Sequence, residues 1–169
     1  MNAVVYHLPL TTYHFVIVKT LSHPDCLAEI TGRLRTVRAD SERRWGAMSA
    51  HQMICHLADG CRMALGDKPV NEAAVPVPRA LLRWMVLYGP LRWPSGVPTS
   101  PELDQRCGGT VPGDFAADVR LLEALLERMV RRGSGDPWAR HPLFGRMSRA
   151  AWLRWGYRHA DHHLRQFGA

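Results

Sequence analysis

Four segments of the sequence repeat apolar residues at the spacing of an α-helix, and this feature constrains the fold more than any other. Each segment follows a side chain that caps helices and continues for about four turns. Apolar stripes of this kind are stable only when they are buried against one another. The sequence therefore predicts an all-α protein, specifically a four-helix bundle with a long second crossover.

Capping residues and glycines predict where these helices begin and end. The second segment opens with an S-x-x-Q capping box at Ser49. The long Pro- and Gly-rich connection after it, residues 67–113, is expected to be an ordered cover with one short helix over residues 78–88. The four predicted helices extend from Ser22 to Ser41, from Ser49 to Gly66, from Asp114 to Gly133 and from Ser148 to Gly168.

A chain of 169 residues is long enough for one domain with its own core. We expect that domain to span residues 20–169. The apolar leader, residues 1–19, lacks a basic region and a cleavage site, and His7, Pro9 and His14 interrupt it. It is therefore predicted to be an N-terminal extension outside the domain, and neither a signal peptide nor a membrane span.

The formal net charge of +7 raises the question of an anionic partner. Most of the arginines are scattered along the chain, and the pairs Arg43–Arg44 and Arg131–Arg132 are shorter than a nucleic-acid-binding patch. We expect a soluble, cytoplasmic protein that acts on a small molecule and binds neither nucleic acid nor membrane. An Arg-rich nucleic-acid binder is the competing interpretation, and a homodimer is left open.

The spacing of the cysteines also favours a cytoplasmic protein. The four of them form no C-x-x-C pair and no disulfide framework, which is typical of reduced thiols in the cytoplasm. We interpret all four as small buried apolar residues.

His159 and His163 are the strongest candidates for chemistry. Residues four apart on a helix have Cβ atoms about 5–6 Å apart, so both imidazoles can bind one metal ion. With nine histidines in the chain, the number of i,i+4 histidine pairs expected by chance is about 0.5, so the spacing alone is weak evidence. The pair gains weight because it continues a stripe of apolar and polar residues, namely Trp152, Trp155, Gly156, His159, His163 and Gln166.

A third ligand has to come from another helix. His56, in the middle of the second predicted helix, is the best candidate, although a hydrogen-bonded core histidine is an equal alternative. His51 is expected to be exposed, and His162 to be angled away from the pair, either to a position behind the ligands or to the surface. Asp59 and Asp161 are weak candidates for an acid or base, or for a carboxylate that supports the ligands from behind. The metal site is thus predicted as His56, His159 and His163.

Several longer motifs resemble the DinB/YfiT-like superfamily, a group of metal-dependent bundle proteins, over about Thr20 to Ala169. That resemblance implies one divalent ion held by His56, His159 and His163, and a long crossover in a four-helix bundle. The motifs are W-G-A-M-S from Trp45, H-Q-M-I-C-H-L-A-D from His51, W-P-S-G from Trp93, G-T-V-P from Gly109, H-P-L-F-G from His141 and H-A-D-H-H-L-R-Q-F-G from His159.

Three imidazoles leave a coordination position open, which is the pattern of catalytic metal sites. Zinc and nickel are favoured, and iron and manganese are alternatives. The resemblance implies use of a low-molecular-weight thiol, as in an S-transferase or isomerase acting on small electrophiles. The alternative is a non-catalytic stress protein that binds a metal or a ligand.

Overall fold

The computed structural model describes residues 18–90 and 92–169, and over these ranges the protein is helical. The described residues contain no strand, only an isolated bridge between His141 and Gly145. The prediction of an all-α protein is confirmed. The described residues form five α-helices, the number expected from four long segments and one short one. In chain order the elements are α1 (Pro24–Leu34), α2 (Ala50–Leu65), α3 (Arg79–Tyr88), a short 3-10 helix (Pro101–Leu103), α4 (Phe115–Arg131) and α5 (Arg149–Gln166).

Helix α1 is shorter than predicted, because it ends at Leu34 and not near Ser41. From Thr36 on, the backbone hydrogen bonds span three residues, where those of an α-helix span four. Thr36 N–H donates to the Arg33 carbonyl, and the Thr36 hydroxyl donates to the same oxygen. A Thr side chain that satisfies the last carbonyls competes with helix continuation. Val37 still contributes an apolar contact to the core, which explains why the helical pattern seemed to continue.

The predicted caps of the other long helices are confirmed. Ser49 and Gln52 form a reciprocal capping box at α2, in which the Ser49 hydroxyl accepts from Gln52 N–H and the Gln52 amide accepts from Ser49 N–H. Asp114 accepts from Ala117 N–H at α4, and Ser148 accepts from Ala151 N–H at α5. Local capping chemistry therefore sets where these three helices begin.

Helix α5 lies at the centre of the packing and contacts α1, α2, α3 and α4, while α2 packs most extensively against α4. The Trp152 side chain of α5 is fully buried. Gly156 allows a close approach, since a Cβ there would lie 2.7 Å from the Leu21 side chain. The core of the protein therefore lies along the inner face of α5, the face that also carries His159 and His163.

The connection between α2 and α4 is an ordered cover, as predicted. Arg79 of α3 donates to the carbonyls of Ala73 and Pro142, and Thr110 contacts Asp59 of α2. We refer to residues 101–110 as the crossover segment. It lies against α2 and brings the Leu103 carbonyl into the core.

The predicted N-terminal extension falls mostly on residues 1–17, which lie outside the described residues. Lys19 forms an ion pair with Glu29 of α1. Within the described ranges, no helix combines the length and the apolar character that crossing a membrane requires.

Replacing Ser49 with alanine removes the hydroxyl that accepts from Gln52 N–H. We expect the free energy of unfolding to fall by about 1 kcal/mol, the usual cost of a lost N-cap. Urea denaturation followed by circular dichroism measures the change. Ser134→Ala, in an exposed loop, is the matched control and is expected to have almost no effect. Equal losses in the two variants would contradict the capping role.

Candidate metal centre

Three histidines from two helices meet in the core. His56 comes from the middle of α2, and His159 and His163 come from α5, one turn apart. The Nε2 atoms of His56 and His159 lie 3.0 Å apart, and each residue offers a ligand nitrogen within 4.8 Å of the others. No more than 9% of any of the three residues is exposed. The predicted set is thus brought together, including the His56 contact that spacing could not supply.

The orientation of His56 is set by the crossover segment. Its Nδ1–H donates to the Leu103 carbonyl over 2.9 Å. A carbonyl can only accept, so the Nδ1 of His56 carries the proton and its Nε2 keeps a lone pair. That lone pair is directed at His159.

His163 is oriented in the same way by a side-chain relay. The Gln166 amide donates from Nε2 to the Trp45 carbonyl at 2.7 Å, which leaves its Oε1 to accept from His163 Nδ1–H at 3.0 Å. The turn after Trp45 reaches Gln166 because Gly46 has a φ of +79° and no Cβ, and a Cβ there would lie 2.5 Å from the Gln166 amide nitrogen. The Nε2 of His163 is therefore the atom left for a ligand.

All three imidazoles are held neutral. Burial lowers the pKa of His56, and burial together with the neighbouring imidazoles lowers the pKa values of His159 and His163 well below the ordinary value. Neutral imidazole is the form that binds metals. Each of the three can therefore present a lone pair without first losing a proton at neutral pH.

The geometry fits a divalent ion. Nitrogen ligands at the usual Zn–N distance lie about 3.4 Å apart in a tetrahedral site, close to the 3.0 Å between the Nε2 atoms of His56 and His159. At this distance the Nε2 lone pair of His56 is satisfied either by a proton on His159 Nε2 or by a cation between the two rings. Hydrogen bonds that hold Nδ1–H, as for His56 and His163, are also the usual support of metal-binding histidines.

Aromatic rings form the walls of the site. The Trp155 ring stacks on His159 with centroids 4.5 Å apart, and the Trp93 ring lies 6.1 Å from both His159 and His162. Gly60 of α2 makes room for this stack, because a Cβ there would lie 3.1 Å from Trp155. Two tryptophan rings thus give the centre apolar walls.

The other two histidines near these ligands occupy different positions. His162 is half-buried beside Trp45, with its ring centroid 5.0 Å from that of His163, so it adjoins the site, as its angle on α5 predicted. The expectation that His51 is exposed is wrong. Its Nε2 lies 2.7 Å from Asp118, since the N-terminal turns of α2 and α4 pack together.

Asp59 is engaged with the crossover segment. Its oxygens accept from the backbone and hydroxyl of Thr110 at 2.7 and 2.6 Å, and from Gln105 at 3.3 Å. Burial favours a raised pKa, but the Thr110 hydrogen bonds and the Lys68 charge outweigh burial and lower the pKa of Asp59. The ionised carboxylate fastens α2 to the segment that carries Leu103.

Asp161 lies outside the site, in ion pairs with Arg33 at 2.8 Å and Arg165 at 3.0 Å. The expectation that all cysteines are buried holds for three of them, whereas Cys107 is exposed on the crossover segment. Two groups that orient the site, the carbonyls of Leu103 and Trp45, were not predicted. No side-chain pattern can reveal them, because they belong to the backbone.

Comparison with known families corrects the resemblance drawn from the motifs. A family described as "Protein of unknown function (DUF1569)" matches residues 19–169. The family model that matches is DUF1569 and not a DinB/YfiT-like one, so that assignment is wrong; most of the motifs are only four or five residues long and do not distinguish one family from another. Searches of curated proteins and of solved structures returned no match. The chain belongs to the DUF1569 family, whose members are proteins of unknown function.

Proposed function

We propose that the protein is a divalent-metal-dependent enzyme whose ion is bound by the Nε2 atoms of His56, His159 and His163. The observation that carries the proposal is the 3.0 Å approach of the Nε2 atoms of His56 and His159, with the Nδ1 proton of His56 held by the Leu103 carbonyl. In this proposal α1, α2, α4 and α5 form a four-helix bundle with the ion in its core.

Three protein ligands leave room for a fourth, as in catalytic sites. An ion held by neutral imidazoles keeps its full charge, and it lowers the pKa of a bound water or thiol or polarises a carbonyl. Zinc and nickel suit three imidazoles best, and iron or manganese are the alternatives.

The reaction we propose is transfer of a low-molecular-weight thiol to a small electrophile, or a thiol-assisted isomerisation. Trp93 and Trp155 provide apolar walls that exclude water from the ligands. His162 stands beside His163 with its Nδ1 buried and unpaired among the described residues, where it can accept the proton that the thiol releases. The scattered arginines offer charge for an anionic thiol.

Metal content tests the ligand set. Protein purified without an affinity tag is expected to carry one equivalent of divalent metal more than the His159→Ala, His163→Ala double variant, because two of three ligands are lost. Elemental analysis measures the difference. His23→Ala, a substitution in the loop before α1, is the matched control and should keep the wild-type content. Equal metal in the wild type and the double variant would contradict the site.

Gln166 tests the relay that orients His163. Gln166→Ala removes the acceptor of His163 Nδ1–H, so metal affinity is expected to fall by about 10–100-fold. Competition with a chromophoric chelator gives the affinity. Arg165→Ala, which removes the ion pair with Asp161 on the same turn, should leave affinity nearly unchanged. Unchanged affinity in Gln166→Ala would show that His163 needs no such support.

Activity tests the reaction class. Several low-molecular-weight thiols are assayed with monochlorobimane: an S–C bond forms, chloride leaves and the thiol proton is released. The metal-loaded wild type is expected to accelerate the coupling, and His56→Ala to fall to the uncatalysed rate while its far-ultraviolet circular dichroism keeps the wild-type helical signal. If no thiol is coupled and His56→Ala unfolds, the ion is structural and the protein is a non-catalytic metal binder.

A further inference from the structure

A second group of metal-ligating side chains lies between α2 and α4, outside the three-histidine centre. His51 and Cys55 are one turn apart on α2, and Asp118 lies in the first turn of α4. Asp118 Oδ2 is 2.7 Å from His51 Nε2 and 3.6 Å from Cys55 Sγ. The three ligand atoms lie within 4.8 Å of one another. A nitrogen, a sulfur and an oxygen thus converge from two helices.

Charge at this point favours a cation. Cys55 is a buried thiol without a disulfide, and it faces the Asp118 carboxylate. The Asp118 carboxylate stays ionised, because hydrogen bonds from Gly113 and His51 lower its pKa against the effect of burial. The negative charge of this carboxylate, next to a sulfur and an imidazole nitrogen, attracts a divalent cation.

Two members of the group are partly exposed to solvent. The side chains of His51 and Asp118 are 18% and 19% exposed, while Cys55 is buried. Water can therefore supply a fourth ligand next to the imidazole and the carboxylate. The Phe115 ring lies edge-on to His51 with centroids 5.2 Å apart and restricts its rotation.

We propose that His51 Nε2, Cys55 Sγ and Asp118 Oδ2 form a second metal site, one for zinc or a similar thiophilic divalent ion, which fastens the first turns of α2 and α4 together. Binding converts the Cys55 thiol to thiolate and releases its proton to solvent. Sulfur disfavours magnesium and calcium, whereas Cys, His and Asp are all zinc ligands. The N···O pair has to open from 2.7 Å to about 3.4 Å, a side-chain adjustment. This site shares no residue with the three-histidine centre.

Cobalt titration separates the two sites, because only a thiolate ligand gives a sulfur-to-cobalt charge-transfer band in the near ultraviolet. The His159→Ala, His163→Ala double variant is expected to keep this band, saturating at one equivalent of Co²⁺. Cys55→Ser in that background should lose it, and Cys107→Ser, which alters the exposed cysteine, should keep it. The experiment therefore reports on this site even if the three-histidine centre binds nothing.

A second variant guards against misfolding. Asp118→Asn keeps the side-chain shape but removes the charge, so Co²⁺ affinity is expected to fall at least tenfold while the far-ultraviolet circular dichroism stays unchanged. Zinc should also raise the melting temperature of the double variant but not that of its Cys55→Ser derivative. A missing band in the folded double variant, a band that survives Cys55→Ser, or unchanged affinity in a folded Asp118→Asn variant would each overturn the proposal.

Discussion

The burial of three imidazoles is the constraint on which the rest of the structure depends. Charged histidines are too costly in this core, so each ring has to be neutral and its polar atoms need partners. The Leu103 carbonyl and the Gln166 amide hold the Nδ1 protons of His56 and His163. With those protons fixed, the Nε2 atoms of His56 and His163 are left for another partner, which is the role we propose for a metal ion.

This constraint gives the long crossover a specific task. The crossover segment approaches α2 because Thr110 and Gln105 hydrogen-bond the buried Asp59 carboxylate. The same approach places the Leu103 carbonyl against His56. The crossover segment is thereby part of the site, and the Asp59 network fixes the position of the carbonyl that orients His56.

Neighbouring residues of helix α2 contact two different helices. Cys55 faces Asp118 of α4, and His56, the next residue, faces His159 of α5. Successive residues on a helix are about 100° apart, so one turn can direct side chains into two separate interfaces. If both proposed ions bind, α2 is fastened to each of its main neighbours by a metal as well as by apolar contact.

The sequence by itself determined the helical class, the caps at Ser49, Asp114 and Ser148, and the pairing of His159 with His163, because these depend on contacts within a few residues. Predictions from the sequence made α1 too long and placed His51 at the surface, because local patterns carry no information about packing partners. Short motifs also suggested the wrong family. Only the tertiary structure decided that His56 joins the pair and that backbone carbonyls orient the ligands. The rotation of α2 against α4 and α5 fixes these contacts, and that rotation follows from burial of the whole core.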